Sequence, residues 1–211
     1  MREKIDSATW KRRAHCALFG RLDVPFYSVT FRLDVTNLYA WCKREGLPFY
    51  HSLIWVTMRA VNRTDAYLYE LEGDDVYRLA YRSPSYTYVY DGDLFGICNV
   101  PWDADESAGA FCARCKRAEA TNTTPLPDAE TDAEGHDVYI SCLPWFDYTH
   151  VAQEFSLDRD DSTPRILWGK FVDENGRKTL AYTVQVNHRL LDGVHLNQLL
   201  TALNQQISQL R

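Results

Sequence analysis

Along residues 180–187, Leu180, Tyr182, Val184 and Val186 alternate with Ala181, Thr183, Gln185 and Asn187, a period of two that predicts a β-strand. After Gly193 the period changes. Leu196, Leu199, Leu200, Leu203, Ile207 and Leu210 recur at helical spacing and predict a closing amphipathic helix. Upstream, 164–188 reads as two β runs around Asn175-Gly176, a strong hairpin signal. Residues 26–35 are β-branched and aromatic, and predict a strand. Residues 36–46 predict a helix with a cap at Thr36 or Asn37 and a stop at Gly46. In 50–64, Leu53, Ile54, Val56, Met58 and Val61 lie mostly at helical spacing, so this helix is expected to pack on a sheet. Short strands are expected around 75–81, 85–92 and 94–100, a helix over 106–121, a loop over 123–135, and a strand over 137–145 broken by Pro144. Strand and helix patterns alternate from end to end with no repeat or long linker. This predicts a compact α/β protein, expected to be one domain over residues 1–211.

Composition narrows the function classes. The chain is 45% apolar and 13% aromatic, with 23 basic and 29 acidic residues and a formal charge of −6. The basic residues are scattered, so no electrostatic footprint for a nucleic-acid backbone is present. No run approaches the ~18 apolar residues of a membrane span, and the opening "MREKIDSATW" lacks a signal-peptide core, so a soluble cytoplasmic protein without membrane partners is expected. The six cysteines are spread along the chain and are expected to be reduced thiols. Cys112 and Cys115 form a CxxC, but a four-thiolate metal site needs a second pair and none exists, so no metal is expected.

Where the 180–187 strand ends, His188 stands four residues before Asp192-Gly193. Position alone is compatible with a surface histidine, and with Asp192 as the N-cap of the last helix. The spacing says more: His188-Arg189-Leu190-Leu191-Asp192-Gly193 resembles the HxxxDG motif of acyl-coenzyme A-dependent acyltransferases, within a segment, "QVNHRLLDGVH", similar to the C-terminal part of the chloramphenicol acetyltransferase family. Three collinear segments carry the same resemblance: "WKRRAHCALFGRLDVPFYSVTFRLDVT", "LPFYHSLIWVTMRAVN" and "ISCLPWFDY", the last with a Ser-x-x-Pro-Trp pattern. It covers nearly the whole chain, from about Trp10 to Leu210. What it implies is a two-layer α/β sandwich, a mixed β-sheet with helices packed on it.

Acyl transfer from a thioester to an alcohol needs a base for the hydroxyl proton and a donor for the developing oxyanion. The resemblance assigns the first role to His188, whose ring it holds through its own backbone carbonyl, and the second to Ser141. It assigns Asp192 to a salt bridge with Arg12 that fixes the His188 loop, with Gly193 and His195 in support, His195 lying about two turns into the helix region. Acetyl-coenzyme A is implied as co-substrate, with no tightly bound cofactor. Trp145 and Phe171 match positions lining the coenzyme channel, and Lys170 and Lys178 are candidate phosphate contacts. Phe19, Tyr27 and Phe95 match aromatic positions of the acceptor pocket.

The pocket also departs from the family. Asp23 and Gln153 stand where apolar leucines are expected, Leu167 replaces a threonine, and "YLYELEGDD" replaces a Phe-Arg-x-Ala segment. Unpaired polar groups disfavour a largely apolar ligand unless they meet its polar atoms. The leading expectation is O-acetylation of chloramphenicol. The alternatives are acetylation of another small alcohol or amine, and a weakly catalytic protein that binds acyl-coenzyme A. The resemblance further implies a homotrimer with active sites between subunits, His188 of one facing a pocket of its neighbour.

Overall fold

The computed structural model describes residues 2–126, 136–154 and 156–210. Two sheets organise them. A small antiparallel sheet has the order β1-β4-β3, from β1 (Arg2–Lys4), β3 (Tyr69–Glu72) and β4 (Asp75–Leu79). The large sheet runs β2 (Phe26–Asp34), β10 (Arg177–Asn187), β8 (Arg165–Gly169), β7 (Asp137–Leu143), β5 (Ser83–Asp91), β6 (Leu94–Asn99). It is mixed: β7 is parallel to both β5 and β8, and the remaining pairs are antiparallel. The second run of the expected hairpin is one strand, but the first is interrupted at Lys170-Phe171, giving β8 and a short β9 (Val172–Glu174), both paired with β10. Asn175 and Gly176 form the turn with positive φ of 55° and 85°, the conformation that made the pair a hairpin signal.

Residues in register share a face of the sheet. One row reads Val29, Val184, Ile166, Ile140, Tyr86, Cys98 and is buried except at its Val29 end. Against this side pack α2 (Thr36–Glu45), α3 (Phe49–Arg63), α4 (Ala108–Thr121) and α5 (Gly193–Ser208), α3 being central between α5 and α4. The fold is therefore the mixed α/β layer expected. The next row, on the opposite face, is Thr30, Thr183, Leu167, Ser141. This face is polar yet buried along β10, because the segment after β7 crosses it. Tyr148 donates its hydroxyl to Leu167 O at 2.9 Å and accepts from Thr183, and Asp147 pairs both oxygens with Arg32. The crossing is so close that a Cβ on Gly169 would stand 2.6 Å from Phe146 O. The alternation in β10 thus separates an apolar buried face from a hydrogen-bonded buried face.

Four elements lie beyond the sequence pattern: β1, β3, the helix α1 (Arg13–Phe19) and a 3-10 turn at Asp65–Leu68. The start of α2 also differs from expectation. Val35 is its N-cap, and the Asp34 carboxylate accepts from the Thr36 N–H at 3.0 Å in place of a Thr36 or Asn37 cap. Gly46 ends it at φ 67°, as expected. Residues 123–126 are bends, and the rest of the expected 123–135 loop lies outside the described residues. All six cysteines are free, with Cys112 and Cys115 one turn apart on α4 and buried. No helix among the described residues is long and apolar enough to cross a membrane.

Arg82, at the entry to β5, joins the two sheets. Its fully buried guanidinium donates to the carbonyls of Tyr67, Tyr69, Asp137 and Ser162 at 2.5–3.3 Å. Burial lowers its pKa to about 10, which leaves it charged at neutral pH. Arg82→Met removes the charged donor of four buried hydrogen bonds and is expected to cost about 3–5 kcal/mol in urea unfolding. Arg82→Lys should recover less than half of that, because an ammonium lacks the planar fork.

Candidate functional site

His188 follows the last residue of β10, and its N–H donates to Pro25 O at 2.7 Å, continuing the β2–β10 ladder by one bond. Asn187 then sets the turn: its carbonyl accepts from Leu190 and Leu191, and its side chain ties Arg189 N to the carbonyls of Arg159 and Asp161. The imidazole is held between two aromatic rings. Phe19, at the end of α1, stacks on it at 3.7 Å and 14°, and Tyr27 packs at 4.3 Å and 32°. His188 Nδ1 lies 2.9 Å from Leu191 O. The ring is thus held by a carbonyl three residues on rather than by its own, because the turn brings Leu191 O back over the ring and directs the His188 carbonyl elsewhere. With the proton on Nδ1, Nε2 carries a free lone pair.

The His188 carbonyl points to Arg12. Arg12 Nη2 donates to it at 3.0 Å, Nε donates to Arg189 O at 3.1 Å, and Nη1 meets Asp192 Oδ2 at 2.6 Å. The expected Arg12–Asp192 pair is present and largely buried, the side chains being 11% and 28% exposed. Asp192 also caps α5, accepting from Val194 N at 3.0 Å while His195 Nδ1 accepts from Asp192 N. His195 is therefore in the first turn of α5, where its short reach back to the N-cap completes a capping box, and not two turns in. Burial raises the Asp192 carboxyl, but the bond and charge of Arg12 outweigh it and the net pKa is lowered. Burial lowers the His195 pKa, in keeping with an Nδ1 that accepts a backbone bond and is unprotonated. Burial pushes the Tyr27 phenol up to about 12, and its hydroxyl is sealed in the interior, so this residue offers the site a ring face and not a polar contact. A Cβ on Gly193 would meet nothing within 4 Å, so no packing inside the chain requires glycine there. Asp23 is exposed on the turn after α1.

A second locus lies across the sheet. β5 and β7 pair from Ser83–Asp137 to Tyr86–Ile140; beyond that β5 continues with β6 and β7 with β8. An open cleft of about 1380 Å³ forms where they part. Ser141 is the first β7 residue past the split, and its Oγ lies 3.0 Å from Thr87 Oγ1 on the opposite lip. Phe95, Gln153, Trp145, Lys170 and Phe171 line the same cleft. Phe171 is wedged against Tyr39 and Phe49, while Trp145 is 70% exposed. Leu167 is not a lining residue: it is in register with Ser141 but buried in β8 beneath the Tyr148 crossing. Lys178 is engaged by Asp173 and lies over the Tyr39 ring. Thr87 and Leu191 were not singled out from sequence; neither has a distinctive residue type, and their roles follow from the strand split and the tight turn.

The two loci are far apart within one chain. Ser141, Leu167 and Thr183 are in register across three strands, and His188 lies five residues beyond Thr183. Two strand spacings and five rises place the His188 and Ser141 backbones about 20 Å apart, beyond the reach of both side chains.

Comparison with known proteins then places the chain. A family model described as Chloramphenicol acetyltransferase matches residues 2–204. Chloramphenicol acetyltransferase 2 of Escherichia coli is 27% identical over 201 residues, covering 95% of this chain and 94% of that protein. The Bacillus pumilus chloramphenicol acetyltransferase is 27% identical over 203 residues, covering 94% and 90%. A solved chloramphenicol acetyltransferase superposes with a TM-score of 0.89 at 18% identity, over 98% of this chain and all of that one.

The Arg12–Asp192–His195 group makes stability acid-sensitive. A lowered histidine pKa means the unfolded chain takes up a proton first as pH falls below the ordinary histidine range; a lowered carboxyl pKa extends the loss through the acid range. Urea midpoints are expected to fall from pH 7 to 5 and again below about 4. Asp192→Asn should cost about 1–3 kcal/mol at pH 7 and flatten the lower part of the profile.

Proposed function

The chain belongs to the chloramphenicol acetyltransferase family, and from that membership we propose that this acyltransferase moves the acetyl group of acetyl-coenzyme A to a hydroxyl of chloramphenicol, in the cytoplasm. The observation that carries the reading is His188 itself: an imidazole sandwiched between Phe19 and Tyr27, its Nδ1 bonded to Leu191 O. That bond leaves Nε2 as the base. It takes the proton of the acceptor hydroxyl as the oxygen attacks the thioester carbonyl. The oxyanion of the tetrahedral intermediate accepts a hydrogen bond from Ser141; with Thr87 donating to Ser141 Oγ, the serine's own proton is free for this task. Collapse breaks the carbon–sulfur bond, and the imidazolium returns its proton to the leaving thiolate. Ester and coenzyme A leave, and His188 is neutral again.

The separation of the two loci supports a catalytic unit between subunits, in which His188 of one chain meets the Ser141 cleft of the next. Exposed Leu18, Leu22 and Val24 rim the His188 side, and exposed Trp145 and Phe95 the cleft side, as apolar surfaces awaiting cover would. A homotrimer with three such sites is the proposed assembly. Trp145, Phe171 and Lys170 line the donor channel in this reading. Asp23, two residues before the Pro25 carbonyl that accepts from His188 N–H, and Gln153 in the cleft favour a second reading in which the acceptor is a more polar small alcohol or amine.

Purified protein with acetyl-coenzyme A and chloramphenicol is expected to yield acetylated drug by mass spectrometry. His188→Ala should lower the rate by roughly 10²–10⁴ and Ser141→Ala by about 10²–10³. Coexpressing the two variants should restore about a quarter of wild-type activity, since one interface in four of a random closed assembly joins an intact His188 to an intact Ser141. No recovery, with a monomer by light scattering, would rule out the shared site; coenzyme binding without drug acetylation would favour the polar-acceptor reading.

A further inference from the structure

The inner wall of the cleft carries a group that the mechanism does not use. His51 in the first turn of α3, Tyr86 on β5 and Glu119 near the end of α4 line it together. His51 Nε2 lies 2.7 Å from Glu119 Oε1, and the Tyr86 hydroxyl donates to the same oxygen at 2.9 Å. The His51 side chain is 9% exposed, and its Nδ1 is sealed without a partner. A single ring proton therefore belongs on Nε2, where there is an acceptor, so Oε1 receives two donors.

Glu119 Oε2 has no partner among the described residues, yet it is not among the sealed atoms, and the side chain is 20% exposed. A carboxylate has room for about four hydrogen bonds, and here two fall on one oxygen. The setting is otherwise unfavourable for a carboxylate: it sits in the negative end of a helix, on the inward stripe continued by Phe111, Cys112 and Cys115, all buried.

Resting on the acyltransferase reading, we propose that Glu119 Oε2 is a ligand-reading acceptor that takes one amide or amine N–H of the molecule filling the inner cleft. Two molecules in the reaction present that chemistry: the donor, through the amides of its pantetheine arm, and the acceptor, through an amide or amino nitrogen. His51 and Tyr86 are positioning residues. By occupying Oε1 they fix the carboxylate plane and turn the second oxygen to the ligand.

Glu119→Gln inverts the polarity without removing the inner bonds. His51 and Tyr86 both require an acceptor, so the amide oxygen stays with them and the NH₂ faces the cleft. Calorimetric titration with coenzyme A, and chloramphenicol acetylation by mass spectrometry, read the two sources separately. A rise of roughly tenfold to a hundredfold in the coenzyme Kd assigns the bond to the pantetheine arm. The same rise confined to the acceptor KM assigns it to the acceptor. Changes under about twofold in both, with wild-type turnover intact, overturn the proposal and leave the acyltransferase reading standing. Wild-type protein that neither binds coenzyme A nor acetylates the drug overturns both. Should the variant melt early, the wild type carries the same test with ligands whose amide nitrogens are methylated: unchanged binding of every such analogue overturns the proposal, and selective loss of one supports it.

Discussion

Three donors of Arg12 organise the end of the chain on which the candidate base sits. The turn from β10 to α5 must direct successive carbonyls outward, because Leu191 O is used by the His188 ring. The His188 and Arg189 carbonyls therefore lack partners in strand or helix, and Nη2 and Nε of Arg12 supply them. Nη1 takes the Asp192 carboxylate, which is at the same time the cap of α5. A guanidinium is suited to this because its planar fork presents donors in several fixed directions, where a lysine would offer one compact charge. A buried ion pair contributes little net stability against well-packed apolar groups, but loss of one partner leaves a charge and two acceptors stranded. The arrangement is thus better understood as a constraint on geometry than as a source of stability. It connects α1 to the turn, so Phe19, at the far end of α1, is delivered to the imidazole face by the same contact.

The sheet imposes the complementary constraint. Parting β5 from β7 opens the cleft through a layer that is otherwise continuously hydrogen-bonded, and the opening exposes residues of both faces. Tyr86 comes from the helix side, Thr87 and Ser141 from the polar side. The Thr87–Ser141 bond spans the gap at its narrow end. Because the His188 turn belongs to the other half of the sheet, one chain holds the His188 imidazole and Ser141 out of each other's reach. The exposed apolar side chains at both places, Leu18, Leu22 and Val24 on one and Trp145 and Phe95 on the other, fit the shared site proposed above.

Much of the fold was legible because its strongest signals were local. The Asn175-Gly176 hairpin, Gly46 as a helix stop and the Leu196 to Ile207 stripe each follow from a conformational or periodic rule that needs no tertiary knowledge. The short strands β1 and β3 and the helix α1 escaped because charge dominates the strands and α1 buries no residue fully. Of the candidate site, the Arg12–Asp192 pair was legible from the motif, while the roles of His188 and Ser141 remain the motif's proposal. The site was illegible where a role depends on the path of a loop. Leu167 was expected to line the pocket, but Tyr148 covers it; the His188 ring was expected to use its own carbonyl, but Arg12 had already claimed that oxygen. His51 and Glu119 left a fainter signal, a titratable residue on an apolar helical stripe in each case, which only proximity turns into a pair.

Charge around the cleft bears on how a chain of net charge −6 would meet the anionic acyl donor proposed for it. The cations near it are few and largely engaged: Arg165 with Asp161, Lys178 with Asp173. Lys170 is exposed at the cleft and is the cation best placed to meet a phosphate. A single exposed ammonium contributes little and is screened by salt. In the proposed reading, recognition then falls chiefly on the neutral part of the donor, with flat aromatic walls at Trp145 and Phe171 to cover apolar surface. A carboxylate is tolerable in such a channel only if it lies well inside, away from the phosphates. In the proposal, the place of Glu119 on the inner wall beside Tyr86 meets that condition, and the low polarity of that wall makes one hydrogen bond to it count.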